Sequence, residues 1–348
     1  IMMIPVAVFS IRMFTKIWQK LCCEIVVGGA VICLWGTGSK TALIVIVMQV
    51  LLGIYLLIKK RSYQFLFVGF TGIVVILSVM FFSAIPGNNS VKKIKESIFR
   101  KKVTYALEKI EPENTGVRLK FRGHSYQIMI ETSEDGNKPW VTDENGRACM
   151  LSESQKDRFV IDGMKGKKPE ISVTRTGNYK QIMIYWNRFK WIFESSGKNQ
   201  SFYYVNPVGK QDVMEEAPAA FGKGREKNIT GRIYIWGRAV PLLRKTLIWG
   251  KGPDTFACVF PQNDYIARAN TGKYMIEQLL TKAHNIYLQI SIQTGVLSLA
   301  ALLYFVAKML KITVIKLQES EQEQKCWYMA LILAIVGFLL MGLTNDSV

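Results

Sequence analysis

The sequence predicts a membrane α-helical fold, a polytopic bundle with an inserted extracytoplasmic β-rich domain. Three observations predict it. About half of the 348 residues are hydrophobic while the formal net charge is +19; separate lipid-facing and basic water-facing regions accommodate both, and a single soluble core does not. Several uncharged runs approach the roughly 20 residues that a bilayer core requires. Between them lies a long polar stretch in which apolar and polar side chains alternate.

In chain order, residues 1–9 read as the tail of a span or an interfacial helix, ahead of a basic cluster at Arg12, Lys16 and Lys20. Residues 21–35 are apolar apart from Glu24 and cross a bilayer only with their flanks included. A basic start before a short apolar core is also the layout of a cleavable signal peptide; the apolar runs directly behind it favour a span. Residues 41–58, with one amide at Gln49, then 65–85, 295–307 and 326–343 complete the set. The chain opens within a hydrophobic run and stops just after another, so the expectation is a fragment of a longer membrane protein. Short loops rich in Lys and Arg stay cytoplasmic. The Arg12-to-Lys20 cluster, Lys59-Lys60-Arg61 and the basic linker 308–325 qualify, which puts residues 36–40, 86–293 and Asn345 outside.

The domain plan is about three transmembrane helices over 1–87, then an extracytoplasmic helix over 88–112, read from apolar residues at helical spacing among lysines. A β-rich domain follows over 113–207, with strand candidates at 117–131, 158–161, 170–174, 181–193 and 201–205. Gly136-Asn137-Lys138-Pro139, Glu144-Asn145-Gly146 and Ser195-Ser196-Gly197-Lys198-Asn199 supply turns. Residues 208–230 read as a solvated linker, 231–294 as a helical active-site loop, and 295–348 as two further spans.

The basic excess points to nucleic acid, an anionic lipid surface or an anionic substrate. Neither a zinc-finger spacing nor an aromatic RNA-binding signature is present, so no nucleic-acid partner is expected. The six cysteines form no CxxC or Cys/His spacing and behave as small hydrophobes. Neither a metal site nor a cofactor is expected.

His284, one of two histidines, precedes Asn285 at the mouth of an apolar run. An imidazole there is either a general base working at neutral pH or an interfacial hydrogen-bonding group. His124, beside Arg122 and Gly123, reads as structural. Arg232, Arg238 and Arg244 recur every six residues. Six positions advance an α-helix by about 600°, so neighbours differ by about 120° and form no single stripe. Each is a candidate for an anion such as a diphosphate, which the guanidinium fork matches, or for lipid phosphates. Lys40 closes Gly36-Thr37-Gly38-Ser39-Lys40 at the outer end of a span, a place for a cation that meets an anionic partner or snorkels to the interface. That string lacks the nucleotide P-loop spacing, which excludes ATP binding by this route. Glu24 is an intramembrane ionisable group near the cytoplasmic end. Gly250, Gly252 and Pro253 read as a chain break where a side chain would clash.

With these residues in place, the constellation resembles the O-antigen ligase and polysaccharide polymerase superfamily of bacterial membrane glycosyltransferases. The pieces that carry the resemblance are Gly36-Thr37-Gly38-Ser39-Lys40-Thr41-Ala42, Gly231-Arg232-Ile233-Tyr234-Ile235-Trp236 and Gly250-Lys251-Gly252-Pro253-Asp254-Thr255-Phe256. His284-Asn285-Ile286-Tyr287-Leu288-Gln289 with Gly295, and Asn345-Asp346-Ser347, complete it. It covers residues 21–87 and 231–348 and leaves the β-rich domain unexplained. It implies transfer of a glycan from a polyprenyl-diphosphate carrier to an acceptor hydroxyl outside the cytoplasm. His284 and Arg232 are then the expected catalytic residues, with Lys40, Arg238, Arg244 and Asn285 binding substrate. Members commonly carry Ser-Arg where this chain has Ser39-Lys40, a change that keeps the charge and loses the bidentate fork. The implied partners are the carrier-linked glycan, a glycan, lipid or protein acceptor, and the bilayer. A polymerase extending a carrier-linked chain is the alternative within the superfamily. A polysaccharide transporter or a membrane sensor is the alternative outside it.

Overall fold

The computed structural model describes residues 2–37, 40–58, 103–133, 136–187, 189–196, 201–271 and 279–344. In chain order the helices begin with α1 (Met3–Met13), α2 (Ile17–Thr37) and α3 (Lys40–Leu57). The strands are β1 (Leu107–Pro112), β2 (Val117–Phe121), β3 (His124–Ser133), β4 (Gly136–Thr142), β5 (Leu151–Gln155) and β6 (Arg158–Ile161). They continue as β7 (Glu170–Thr176), β8 (Tyr179–Trp186), β9 (Phe189–Ser196), β10 (Tyr203–Val205) and β11 (Gln211–Asp212). The remaining helices are α4 (Arg232–Ala239), α5 (Phe256–Val259), α6 (Tyr265–Thr271), α7 (Ile286–Gln293), α8 (Val296–Glu319) and α9 (Gln322–Gly342). The chain divides into two compact units: residues 1–96, 242–256 and 282–348, and residues 97–241 with 257–281.

The first unit is helical. α9 packs against α1, α3 and α8. On α3, Ala42, Val45 and Gln49 are buried, a spacing that keeps them on one helical face. Gln49 donates its amide to the Leu333 carbonyl at 2.9 Å. Gly337 leaves room for it, since a Cβ there would sit 2.0 Å from Gln49 Nε2. Small residues that let polar groups reach a neighbouring backbone are a device of helix packing in lipid.

The second unit is built on two antiparallel sheets, one of order β1-β2-β3-β4 and one running β11 through β5. Every strand pairs with its neighbour in sequence, so both sheets are meanders. Period-two alternation puts Val117, Leu119 and Phe121 from one sheet, and Ile182, Ile184, Trp191 and Phe193 from the other, into one shared core. Phe121 and Trp186 meet edge to face across it at 5.1 Å. Full burial of each such side chain contributes about 1.5–3 kcal/mol.

This architecture corrects the polytopic helical bundle expected from composition. Eleven strands among the described residues form sheets of four and seven, so the chain is mixed α and β. Among the described residues, two helices are long and apolar enough to cross a membrane, Val296–Glu319 and Gln324–Gly342. Residues 21–35 and 41–58 do fold as helices, but the apolar part of α3 is the shorter Thr41–Leu57, and α2 carries Lys20 and Glu24. The span expected at 65–85 lies outside the described residues, as does Asn345.

The helix expected over 88–112 is corrected in its described part, where residues 103–106 are not helical and Leu107–Pro112 form β1; residues 88–102 lie outside the described residues. A bulge between Leu107 and Lys109 shifts the register against β2, so Leu107 and Ile110 both face the core. The bulge thus produces the three-residue spacing that mimics a helix. The 208–230 segment is not merely solvated either: it contributes β11 and buries Ala217 and Glu226.

Candidate active site

Two constellations carry the residues that sequence reasoning singled out, one in each unit. In the second unit, α4 begins at Arg232 behind Gly231, whose φ of 84° is a conformation that glycine adopts without strain. Gly237 packs so closely that a Cβ would lie 2.4 Å from the Phe221 carbonyl oxygen. Arg232 is half-buried and makes no hydrogen bond or ion pair among the described residues. Six residues on, Arg238 is 3 % exposed. Its Nε donates to Asp264 Oδ2 at 2.9 Å, and its Nη2 lies 3.7 Å from Glu226 Oε1. The guanidinium also stands 4.3 Å from the centre of the Tyr234 ring, one helical turn back.

Two tyrosines complete this network. Tyr234 donates to Asp264 Oδ2 at 3.2 Å and Tyr105 donates to Glu226 Oε2 at 2.9 Å. Burial pushes the Asp264 carboxyl above its ordinary value, against the opposing pull of Arg238. Burial, with the neighbouring Asp264 carboxylate, drives the Tyr234 phenol far upward, so it stays a neutral donor. The arrangement is a buried charge cluster that ties α4 to residue 264 and to the 226 segment. Asp264, Glu226 and Tyr105 were not legible as partners. The spacing of Tyr234 and Arg238 at i and i+4 was a usable signal for their contact.

In the first unit, His284 sits at a sharp turn with φ of 51°, a left-handed conformation uncommon outside glycine. The turn is held on both sides. Ala283 N donates to Gln289 Oε1 at 2.8 Å. Asn285 is the N-cap of α7: its Oδ1 accepts from Leu288 N at 3.0 Å and its Nδ2 donates to the Leu343 carbonyl at 3.0 Å. Asn285 therefore spends both ends of its amide on placing the helix behind the histidine. Tyr287 adds a bond to the Leu339 carbonyl at 2.6 Å.

The segment after Arg244 lies against the junction of α7 and α8. Lys251 N and Gly252 N donate to the carbonyls of Ile292 and Gln293, which end α7, and the first two amides of α8 donate to the carbonyls of Thr246 and Leu247. Groups that helix ends leave unsatisfied thus find partners. Gly250 and Gly295 permit this approach, since a Cβ on either would fall 2.0 or 2.2 Å from a backbone oxygen. That is the architectural role the sequence assigned to Gly250. Leu247, Ile248 and Trp249 project outward beside the first turn of α8, Trp249 with 83 % of its surface exposed. Arg244, in the 3-10 segment Val240–Lys245, is exposed.

Of the expected site residues, Arg232 and Arg238 belong to the second unit, and Lys40, Arg244, His284 and Asn285 to the first. Lys40 is the first residue of α3. Within its unit the fold joins His284 to Asn285, and in the other it surrounds Arg238 with carboxylates.

No curated protein and no solved structure matches the chain. A family model described as O-antigen ligase matches residues 179–303. The match begins at β8, inside the β region that the resemblance had left unexplained, and reaches the first turns of α8. It contains Arg232, Arg238, Arg244, His284 and Asn285 but not Lys40. Over residues 179–303 the chain is thus similar to an O-antigen ligase domain, and the match supports the resemblance to the O-antigen ligase and polymerase superfamily that the sequence motifs carry.

Proposed function

We propose that this chain moves a glycan from a polyprenyl-diphosphate carrier to an acceptor hydroxyl at the outer face of a membrane. The observation that carries the reading is the His284 turn, a histidine in a strained backbone conformation fixed by Gln289 before it and the Asn285 cap after it, inside the matched segment. Strained residues over-determined by their surroundings cluster at functional sites, and an imidazole is the side chain suited to proton transfer at neutral pH.

In the proposed step, the acceptor oxygen attacks the anomeric carbon of the carrier-linked sugar and passes its proton to His284. The bond from that carbon to the diphosphate oxygen breaks, and the carrier leaves as polyprenyl diphosphate. Arg232 meets the charge growing on the leaving group, with Lys40 and Arg244 as further cations. Arg238 takes the positioning role, because its charge is already met by Asp264 and Glu226 and its contacts anchor the helix that starts with Arg232. The diphosphate is an activated leaving group, so no nucleotide enters the reaction.

The test is transfer from a purified carrier-linked glycan by the full chain in lipid. His284→Ala and Arg232→Ala are expected to lower turnover by about 10² or more with membrane expression intact. Near-normal turnover in both variants refutes the assignment. Product analysis separates ligase from polymerase: a glycan attached to a new acceptor marks the first, a longer carrier-linked chain the second.

A further inference from the structure

The β sandwich contains a cleft that the transfer step does not use. Its volume is 590 Å³, and it opens where the β2–β3 hairpin meets the connections that follow β4 and β6. The floor is apolar, with Phe121 and Ile161 each 1 % exposed. Arg122, His124, Tyr126, Glu144 and Lys165 stand around it.

Several of these side chains have no structural task that accounts for them. Arg122 occupies the hairpin turn at φ 52°, beside Gly123 at 85°, a pair of left-handed conformations that asparagine and glycine ordinarily fill. Its guanidinium lies 5.7 Å from the Phe121 ring centre and is backed by Gly166, where a Cβ would come within 2.8 Å of Nη2. Glu144 faces His124 Nδ1 at 3.7 Å, too long for a hydrogen bond, and both side chains are more than half exposed. Asp143 and Asp162, by contrast, have structural work: Asp143 accepts from the amides of Asn145 and Arg147, and Asp162 from Ser152 Oγ. Burial, then the neighbours Cys149, Glu144 and Asp143, raise the Tyr126 phenol, which keeps it a neutral donor.

The lining selects a ligand class. Two fixed cations, Arg122 and Lys165, face three carboxylates, Asp143, Glu144 and Asp162, which disfavours a diphosphate or a nucleic acid. The charged rim disfavours an acyl chain. A saccharide offers hydroxyls that donate to carboxylates and accept from Arg, Lys and Tyr, and a C–H face for an aromatic ring. The volume lies in the range of small-ligand sites. We propose that this cleft binds a sugar segment of the glycan, holding the polymer at a place separate from the reacting carbon. The choice of ligand rests on the proposed function.

The test uses the full chain in lipid nanodiscs and short oligosaccharides released by mild acid from the producing cell's own surface polysaccharide, with neither lipid nor diphosphate. Saturable binding by calorimetry or saturation-transfer NMR is expected. Glu144→Gln and Arg122→Asn are each expected to weaken it about tenfold, as loss of a charged hydrogen bond implies. Asparagine tolerates the left-handed turn, so Arg122→Asn removes the guanidinium and keeps the hairpin. His284→Ala is expected to bind as the parent does. Absence of saturable binding, or binding unchanged in both cleft variants, overturns the proposal. Because the readout is binding without donor, this result stands apart from the transfer assay: turnover retained in both His284→Ala and Arg232→Ala sinks the proposed chemistry and leaves the cleft untouched.

Discussion

Arg238 and Asp264 form a 2.9 Å ion pair with 3 % and 2 % of their side chains exposed, the tightest buried charge contact around α4. A pair this deep draws its stability from mutual compensation, since either charge left alone would be buried without a counterion.

Removing one partner is therefore expected to cost more than removing both. Arg238→Met and Asp264→Leu are each expected to destabilise the protein by about 3–5 kcal/mol, and the double variant by far less. Thermal unfolding of the four proteins in the same detergent checks this. Additive losses would show that the two residues act independently.

The reaction is expected to proceed without a divalent metal, because guanidinium and ammonium groups meet the leaving-group charge in the proposed step. Turnover in excess chelator should equal turnover without it. Loss of activity that magnesium restores would reject this prediction.

Asp212 links β11 to α6. Burial acts to raise its carboxyl, but bonds from Tyr265, Asn206 and the Val213 amide outweigh burial and hold it below the ordinary value. Tyr265 donates at 2.6 Å. With the folded value depressed, the unfolded chain takes up the proton first as pH falls. The stabilisation is complete above the unfolded value, about 4, and is lost as pH falls through the folded one. Asp212→Asn should therefore cost about 2 kcal/mol near neutrality and flatten the acid limb of the stability curve. An unchanged limb, read by unfolding between neutral and acid pH, would assign that limb to other carboxylates.

Gly250→Ala is expected to destabilise the first unit by about 1–3 kcal/mol, because the new methyl meets backbone at 2.0 Å and backbone cannot rotate aside. Gly28→Ala provides the contrast. It sits in α2 with nothing within 4 Å of the added carbon, and it should stabilise by about 0.5–1 kcal/mol. Equal effects at both positions, by thermal unfolding, would refute the close approach.

Much of this was legible where periodicity and local chemistry agree. Residues 158–161 and the alternation of Ile182 and Ile184 announced strands, and Gly250 announced a break in the chain where a side chain would clash. Elements went unread where tertiary context reverses a local signal. Pro139 in Gly-Asn-Lys-Pro reads as a turn, yet it lies in β4, the edge strand of its sheet, where a missing amide does no harm. Arg122 gave no turn signal because arginine rarely adopts φ of 52°, so β2 and β3 read as one strand. The carboxylates around Arg238 come from distant parts of the chain, Glu226 from a segment that looked like solvent-facing linker. Spacing cannot reveal such partners; only the fold does.

The seven-stranded sheet has a consequence for how this chain can be recombined. The O-antigen ligase match starts at Tyr179, the residue where β8 begins. β8 is zipped to β7 from Thr176↔Tyr179 to Glu170↔Tyr185. A chimera joined at that boundary would tear a continuous ladder between its third and fourth strands from the β5 edge, exposing two raw edges to aggregation. The stretch upstream of residue 179 is thus not a detachable cassette, and a graft onto a relative has to carry both sides of that seam together.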